Sequence, residues 1–264
     1  MLEILRDEIE KFKTPEERLN HLRECLQLLI LKIIYEGGFF ENISFIGGTA
    51  LRIIHDLRRF SEDMDFLLTN KNGYSTEKLV SYLNRQLELF NTGAEVSKKT
   101  EKNVHKIDCK FRDILFEAGI SPFESQKLLI RLEIDTNSPN GWNIETSLIN
   151  KIFMFTITHF DMPSLYACKL HACFFRRYTK GRDFYDLLWF FGKKIRPNFT
   201  VLNNAITQTE KKVITVNEEN FSQFLIEKLS GVDFKKVRMD AGRFLEDKKE
   251  LSLLDKETFL KIIK

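Results

Sequence analysis

Two aspartates, Asp63 and Asp65, lie two positions apart between apolar residues and follow the glycine pair Gly47 and Gly48. Side chains two apart on a strand point to the same face, so the two carboxylates should converge. A glycine pair before a helix lets the backbone approach a phosphate, and the helix N-terminus attracts negative charge. This combination predicts a site for a divalent metal and a nucleoside triphosphate.

The elements that must position these groups are short. Residues 42–46 are β-branched and aromatic and predict a buried strand, which the glycine pair ends. A helix is expected over residues 49–57, followed by a second strand that carries both aspartates. Either feature alone is common in an ordinary turn or a solvated strand edge, and only their combination indicates a site.

A later strand offers a third carboxylate. Residues 128–135 alternate so that four apolar side chains face one way, while Glu133 and Asp135 share the other face. A charged face at a sheet edge is the alternative explanation for either residue.

The sequence resembles a known family at two places. The string Gly-Gly-Thr-Ala-Leu-Arg at 47–52, with Arg-Phe-Ser-Glu-Asp-Met-Asp-Phe at 59–66, is similar to the AbiEii/AbiGii toxin family, a branch of the polymerase-β-like nucleotidyltransferases. The second string runs from Lys-Leu-His-Ala at 169–172 to Lys-Gly-Arg-Asp-Phe-Tyr-Asp-Leu at 180–187. The resemblance covers roughly residues 40–190.

The resemblance implies a role for several residues. It implies that Asp63, Asp65 and Glu133, with Asp135 as the rival of Glu133, hold two Mg²⁺ ions, and that Lys169 and Asp183 are further catalytic residues. It also implies a set of nucleotide-binding residues: Gly47, Gly48, Thr49, Arg52, Ser61 and Arg182. Structural ion pairs are the alternative role for the two arginines in that set.

Lys169 lies among apolar residues of a helix expected over 165–178, so burial of its charge requires an anionic partner. The candidates are the phosphates of a nucleotide, Asp183, or both in turn. Asp183 follows a glycine at the start of a helix, so an N-cap is its alternative role. Asp186, one turn further, is expected to anchor Arg182 or a backbone group.

Composition predicts a soluble globular protein, because 43% of the 264 residues are hydrophobic and 30% are charged. No signal peptide and no membrane-spanning apolar run is evident. The four scattered cysteines show no metal-binding spacing and fit a reducing compartment, so a cytoplasmic location is expected.

Charge is divided unevenly along the chain. Residues 1–150 contain 20 Lys and Arg against 24 Asp and Glu, whereas residues 151–264 contain 21 against 14. In such a protein the acidic half could hold a metal ion and the basic half could bind a polyanionic substrate. Charged residues on solvated helices are the alternative explanation for the asymmetry.

The remaining patterns predict mostly helix. A capping box at Thr14–Glu17 starts a helix that Gly37 ends, and a second helix starts after Ser75. Alternation between 94 and 120 predicts a hairpin. Beyond Pro197 we expect helices over 218–229, 233–247 and 256–263.

The predicted fold is therefore α/β (α+β): a polymerase-β-like nucleotidyltransferase domain with a mixed sheet over residues 1–158, and a C-terminal helical bundle over 159–264. The active site is expected in a cleft between these two domains, and the second domain should contribute Lys169 and Asp183 to it.

The family's activity, as the resemblance implies it, is Mg²⁺-dependent transfer of a nucleoside monophosphate from an NTP to an RNA 3′ end, in particular tRNA. Such a toxin has a cognate antitoxin. Two alternatives remain: a nucleotidyltransferase that modifies a small molecule of the antibiotic type, and a catalytically silent member that binds RNA or a protein.

Overall fold

A computed structural model of the chain describes residues 2–210 and 214–263. The chain forms two compact units, and both are discontinuous in sequence. The first unit comprises Met1–Ile54, Ser61–Ser138 and Thr146–His159, and the second comprises His55–Phe60, Pro139–Glu145 and Phe160–Lys264. The predicted division between residues 158 and 159 stays a prediction.

The first unit begins with two helices, α1 (Leu2–Ile9) and α2 (Pro15–Glu36). The capping box is confirmed: Thr14 Oγ1 accepts the backbone N–H of Glu17, and the Glu17 carboxylate accepts the backbone N–H of Thr14. The helix ends at Gly37, as predicted. Ten of its residues are buried, so α2 is a core helix rather than a surface one.

In the described part of the chain the strands form one seven-stranded mixed sheet in the order β3-β4-β5-β2-β1-β7-β6. The strands are β1 (Ile43–Ile46), β2 (Met64–Leu68), β3 (Ala94–Glu101), β4 (Val104–Phe111), β5 (Leu128–Asp135), β6 (Ile144–Asn150) and β7 (Met154–Phe160). Strand β2 is antiparallel to β1 and parallel to β5, so the strand that follows Asp63 is central in the sheet.

Three helices accompany the sheet: α3 (Gly47–His55), α4 (Thr76–Leu89) and the single turn α5 (Ile114–Glu117). The apolar face of β5 is buried, as the alternation predicts, and it joins the core formed by α2 and α4. The predicted hairpin corresponds to β3 and β4, which pair along their full length.

Around the two aspartates, two element starts differ from the sequence prediction. Helix α3 begins at Gly47 and not at Thr49, because Gly47 at φ +78° makes the turn from β1 directly into the helix. Strand β2 begins at Met64, so Asp63 immediately precedes the strand instead of lying in it.

The second unit contains the helices of the C-terminal half, and the predicted fold class is confirmed. They are α6 (Met162–Phe175), α7 (Gly181–Lys193), α8 (Phe199–Glu210), α9 (Phe221–Ser230), α10 (Phe234–Ala241) and α11 (Lys256–Ile263). Helix α6 begins and ends three residues earlier than predicted, since Asp161 caps its N-terminus. The helix expected over 233–247 ends at Ala241, with Gly242 as its C-cap.

Within residues 2–210 and 214–263, no helix combines the length and the apolar composition of a membrane span. None of the four cysteines, all of which lie in the described residues, forms a disulfide.

Candidate active site

The turn between β1 and α3 is built around Gly47. A Cβ atom at this position would overlap the carboxylate of Asp65, so the absence of a side chain is what lets that carboxylate lie against the turn. Gly48 and Thr49, which follow in the first turn of α3, are buried. Gly47 and Asp65 are therefore packed together, and the spacing in the sequence alone could not show this.

Gly47→Ala should destabilise the protein more than Gly73→Ala. Both glycines have a left-handed φ, +78° and +74°, which costs an alanine about 1–2 kcal/mol. An alanine Cβ at position 73 would meet nothing within 4 Å, whereas at position 47 the Asp65 carboxylate would have to move. Urea unfolding of both variants measures the difference, and equal losses of stability would contradict the packing of Gly47 on Asp65.

Strand register brings Asp65 beside Glu133. The parallel pairing of β2 with β5 makes Asp65 and Glu133 direct partners, and Leu67 and Asp135 the next pair on the same face. Asp63 lies immediately before β2, so the alternation of the strand does not assign its side chain to this face. All four carboxylates are partly exposed. Asp135 is two residues beyond Glu133 along β5, on the same face. Its carboxylate accepts the backbone N–H of Asn137 at 2.8 Å.

Cations surround this face. Lys106 Nζ lies 3.7 Å from Glu133 Oε1 and 2.7 Å from Glu101 Oε2. Arg131 donates to both oxygens of Asp108, at 2.7 and 3.1 Å, which lowers the pKa of that carboxyl. The hydrogen bond to Asp108 is the main cause that raises the pKa of Arg131. The negative charges of Asp63 and Glu133 raise this pKa further.

Two buried polar side chains donate hydrogen bonds to the backbone of the segment that leads to Asp63. Thr49 donates its hydroxyl to the carbonyl of Asp63. Gln27 of α2, only 1% exposed, donates its Nε2 to the carbonyls of Ser61 and Glu62, at 3.0 and 3.3 Å. These bonds fix the backbone of residues 61–63, because a buried amide left unpaired would be costly.

Arg52 is buried and pairs with Glu24 of α2, with Nε and Nη2 at 2.8 and 2.7 Å from Glu24 Oε2. The structural ion pair that the sequence offered as an alternative is therefore present. Contacts of Arg52, Thr49 and Ser61 with a nucleotide stay predictions.

The predicted metal ligands carry the type of donor atom that a divalent cation prefers. Asp63, Asp65 and Glu133 offer carboxylate oxygens, which hard cations such as Mg²⁺ prefer, and the last two share one face beside the Gly47 turn. Over residues 2–210 and 214–263, however, no three His, Cys, Asp or Glu side chains are gathered closely enough to hold a metal ion. The carboxylates therefore offer suitable ligand atoms, but their side chains are not arranged as a coordination shell.

In the second unit, Lys169 lies in a buried network of charges. It is 7% exposed, and its Nζ contacts Asp183 Oδ1 at 2.8 Å and Asp186 Oδ2 at 2.7 Å. The expected anionic partner therefore exists in the protein itself. Burial acts to lower the pKa of Lys169, but the two carboxylates outweigh this and raise the pKa, so the ammonium is charged at neutral pH.

Asp183 is not the N-cap of α7, because that position is Lys180 and the carboxylate of Asp183 is buried two residues inside the helix. It accepts Lys169 on one oxygen and Arg176 Nη1 on the other, at 2.8 Å each. Burial acts to raise the pKa of Asp183, but these cations outweigh it and hold the pKa at about 2.

Asp186 contacts Arg59 and Lys169, whereas the sequence pointed to Arg182 or a backbone group. Arg59 is 1% exposed and donates Nε and Nη2 to the two oxygens of Asp186, at 2.5 Å each. Arg182 lies over the ring of Phe244, with Cζ 4.6 Å from the ring centroid. Because Asp186 is fully buried, its charge needs the bidentate arginine as well as the lysine.

The network is cationic as a whole: Arg59, Lys169 and Arg176 face Asp183 and Asp186, which leaves one positive charge in excess. The four buried members balance in charge, and the excess comes from Arg176, whose side chain is 32% exposed, so it lies at the surface of the network.

Acid should weaken the part of the stability that comes from Asp183. Its pKa in the folded protein, about 2, is below the ordinary value of about 3.9, so its ion pairs stabilise fully above that value and are lost as the pH falls toward 2. The unfolding free energies of wild type and Asp183→Asn should therefore differ most near neutrality and converge between pH 4 and pH 2. A difference that is constant over this range, measured by urea titration, would contradict the assignment.

The structure brings the predicted residues together in two groups. One contains Asp65 and Glu133 with the Gly47 turn, and the other contains Lys169 and Asp183; Asp63 lies immediately before β2 and is not gathered with them into a three-carboxylate cluster among the described residues. Sequence reasoning missed Gln27 and Arg59 as supports. The available signal was a polar or charged residue enclosed by buried apolar ones, at Gln27 within α2 and at Arg59 before Phe60.

Comparison with known proteins adds a family match. A sequence model described as "Nucleotidyl transferase AbiEii toxin, Type IV TA system" matches residues 29–261, so the match extends well beyond residues 40–190 and includes the C-terminal helices. A search of curated proteins finds no significant match.

Two crystal structures from Helicobacter pylori are similar to this chain. One is of JHP933 and the other is of a protein described as a "putative nucleotidyltransferase". Each is 16% identical to this chain, with a TM-score of 0.46 and coverage of 90% of this chain. The shares of the two neighbours that are covered are 93% and 95%.

Proposed function

Because this chain belongs to the AbiEii family of nucleotidyltransferase toxins, we propose that it transfers a nucleoside monophosphate from an NTP to an RNA 3′ end, with tRNA as the favoured acceptor. In this reaction the acceptor hydroxyl forms a bond to the α-phosphorus, and the bond from the α-phosphorus to the leaving oxygen breaks. Pyrophosphate is released, and the hydroxyl proton passes to solvent.

The observation that carries the proposal is the carboxylate face beside the Gly47 turn. Asp65 packs on the glycine that starts α3 and is the register partner of Glu133, with Asp63 two residues away. Oxygen ligands next to backbone N–H groups at a helix start suit a metal-bound triphosphate.

We assign Asp63, Asp65 and Glu133 to hold Mg²⁺. When bound, Mg²⁺ supplies positive charge that polarises the phosphates and lowers the pKa of the acceptor hydroxyl. Glu133 is preferred to Asp135 because it is the direct neighbour of Asp65, and because Asp135 already accepts the N–H of Asn137.

The phosphate contacts in this proposal come from Gly47, Gly48 and Thr49 at the start of α3, and from Ser61. Lys169 supplies a compact positive charge for the triphosphate, a task that suits an ammonium group. Asp183 holds that ammonium until the nucleotide arrives, and Arg182 remains a further candidate for a phosphate contact.

RNA as acceptor is supported by the basic second half of the chain, with its 21 Lys and Arg against 14 Asp and Glu. A polyanion binds such a surface through the release of counterions, so affinity should fall steeply with salt. A small acceptor of the antibiotic type would show little such dependence. The type IV toxin–antitoxin description further suggests a cognate antitoxin as a genetic partner.

The test is direct labelling. The purified protein is incubated with Mg²⁺, each α-³²P-labelled NTP in turn and total tRNA, and the RNA is separated on a denaturing gel. Labelled tRNA, lost when EDTA replaces Mg²⁺, is the expected result. Absence of label with all four NTPs, while a small aminoglycoside-type acceptor is labelled, would overturn the RNA acceptor.

A further inference from the structure

The segment that joins α6 to α7 presents an exposed aromatic ring among cations. Residues 176–182 read Arg-Arg-Tyr-Thr-Lys-Gly-Arg, with four cations and no carboxylate. The Tyr178 side chain is 62% exposed, and the charged groups of Arg176 and Lys180 lie 5.7 and 5.9 Å from its ring centroid. Exposed rings are common on protein surfaces, so the distinguishing feature of Tyr178 is the set of cations around its ring.

Both ends of this segment are fixed. At one end, Arg176 donates to Asp183 in the buried network. At the other end, the N–H of Gly181 donates to Asp240 at 2.6 Å, and a Cβ on Gly181 would overlap the backbone of α10 at Val237. The ring of Tyr178 is thus carried by a segment anchored on either side, which lowers the entropy that binding must remove.

We propose that Tyr178 is a stacking platform for the terminal base of the acceptor RNA, with Arg177 and Lys180 meeting the adjoining phosphates. A flat ring flanked by cations is the arrangement that binds single-stranded nucleic acid without reading its sequence. The platform lies two residues from Arg176, which contacts Asp183, the carboxylate that also holds Lys169. The inference rests on the proposed RNA acceptor and names the place where its 3′ end is held.

The experiment uses the full chain and a short single-stranded RNA with 2-aminopurine as its 3′-terminal base. Stacking on tyrosine quenches the fluorescence of this base. Wild type and Tyr178→Phe should quench it with similar Kd, whereas Tyr178→Leu should weaken binding about tenfold and abolish the quench. Phe123→Leu, which removes a ring that is 66% exposed in the first unit, is the matched control and should behave as wild type.

The salt dependence of RNA affinity distinguishes the contribution of the Tyr178 ring from that of the neighbouring charges. Tyr178→Leu should keep the slope of log Kd against log salt, while Arg177→Gln should reduce that slope by about one, because one phosphate contact is lost. A further arm measures binding of NTP alone, which Tyr178→Leu should leave unchanged.

Three results would overturn the inference. Wild-type quenching and affinity in Tyr178→Leu would reject the platform while leaving RNA as the acceptor. Loss of NTP binding in Tyr178→Leu, with RNA affinity intact, would reject the assignment to the acceptor base. Failure of the wild type to bind or label RNA would reject the proposed acceptor itself, and the platform with it.

Discussion

Asp63→Asn and Asp65→Asn proteins should fold normally and transfer nucleotide at least about a thousandfold more slowly than wild type. Asparagine has the shape of aspartate but lacks the charge that a divalent cation requires, and loss of one such ligand is expected to cost about 4 kcal/mol of barrier. Labelling of tRNA by single-turnover kinetics measures the loss, and thermal unfolding monitored by circular dichroism verifies the fold.

The third carboxylate provides the internal control for this series. Glu133→Gln should lose activity to a similar degree, because Glu133 is the register partner of Asp65. Asp135→Asn should stay within a few-fold of wild type, since its carboxylate serves the Asn137 turn. Near-wild-type turnover by both Asp63→Asn and Asp65→Asn would reject the site, and the reverse order of Glu133 and Asp135 would reassign the third ligand.

Lys169→Met should abolish transfer and also remove the protection that NTP gives against thermal unfolding. Methionine keeps the length of the side chain but leaves Asp183 and Asp186 with one cation fewer in a buried site. Breaking a buried ion pair costs on the order of 3 kcal/mol, so a loss of stability is expected together with the loss of activity. Activity therefore needs a comparison at matched stability.

Arg59→Met supplies that comparison, because it removes a cation from the same network but leaves Lys169 in place. It should be destabilised to a similar degree yet keep measurable transfer and protection by NTP. Lys169→Arg keeps the charge, so it should be the more stable of the Lys169 variants while transferring poorly, since the planar guanidinium does not reproduce an ammonium contact with phosphate. If activity in all three variants simply follows their stability, Lys169 is a structural residue and not a phosphate ligand.

The sequence was informative where the physical cause is local. The alternation along residues 128–135 predicted which face of β5 is buried, because successive side chains on a strand point to opposite faces. The capping box at Thr14 likewise predicted the start of α2 to the residue. Both patterns depend only on neighbours within a few positions, so they can be recognised before the fold is known.

Long-range pairs could not be predicted in this way. Arg59 and Asp186 are 127 residues apart, and Gln27 is 34 and 35 residues from the two carbonyls to which it donates. Their partners are chosen by the tertiary fold, which brings a buried polar group to the one place where its charge or hydrogen bonds are satisfied. For Lys169 the sequence required an anionic partner, and the fold supplied two.

The discontinuity of the two units limits how this protein can be divided. The short segment His55–Phe60 lies in sequence between α3 and β2 but belongs to the second unit, where Arg59 neutralises Asp186 and the backbone N–H of Phe60 donates to the carbonyl of Phe244. A fragment that starts at residue 160 would carry a buried aspartate without its arginine. We therefore expect such a fragment to be unstable by itself, and a truncation or chimera that exchanges the helical half should transplant residues 55–60 and 139–145 as well.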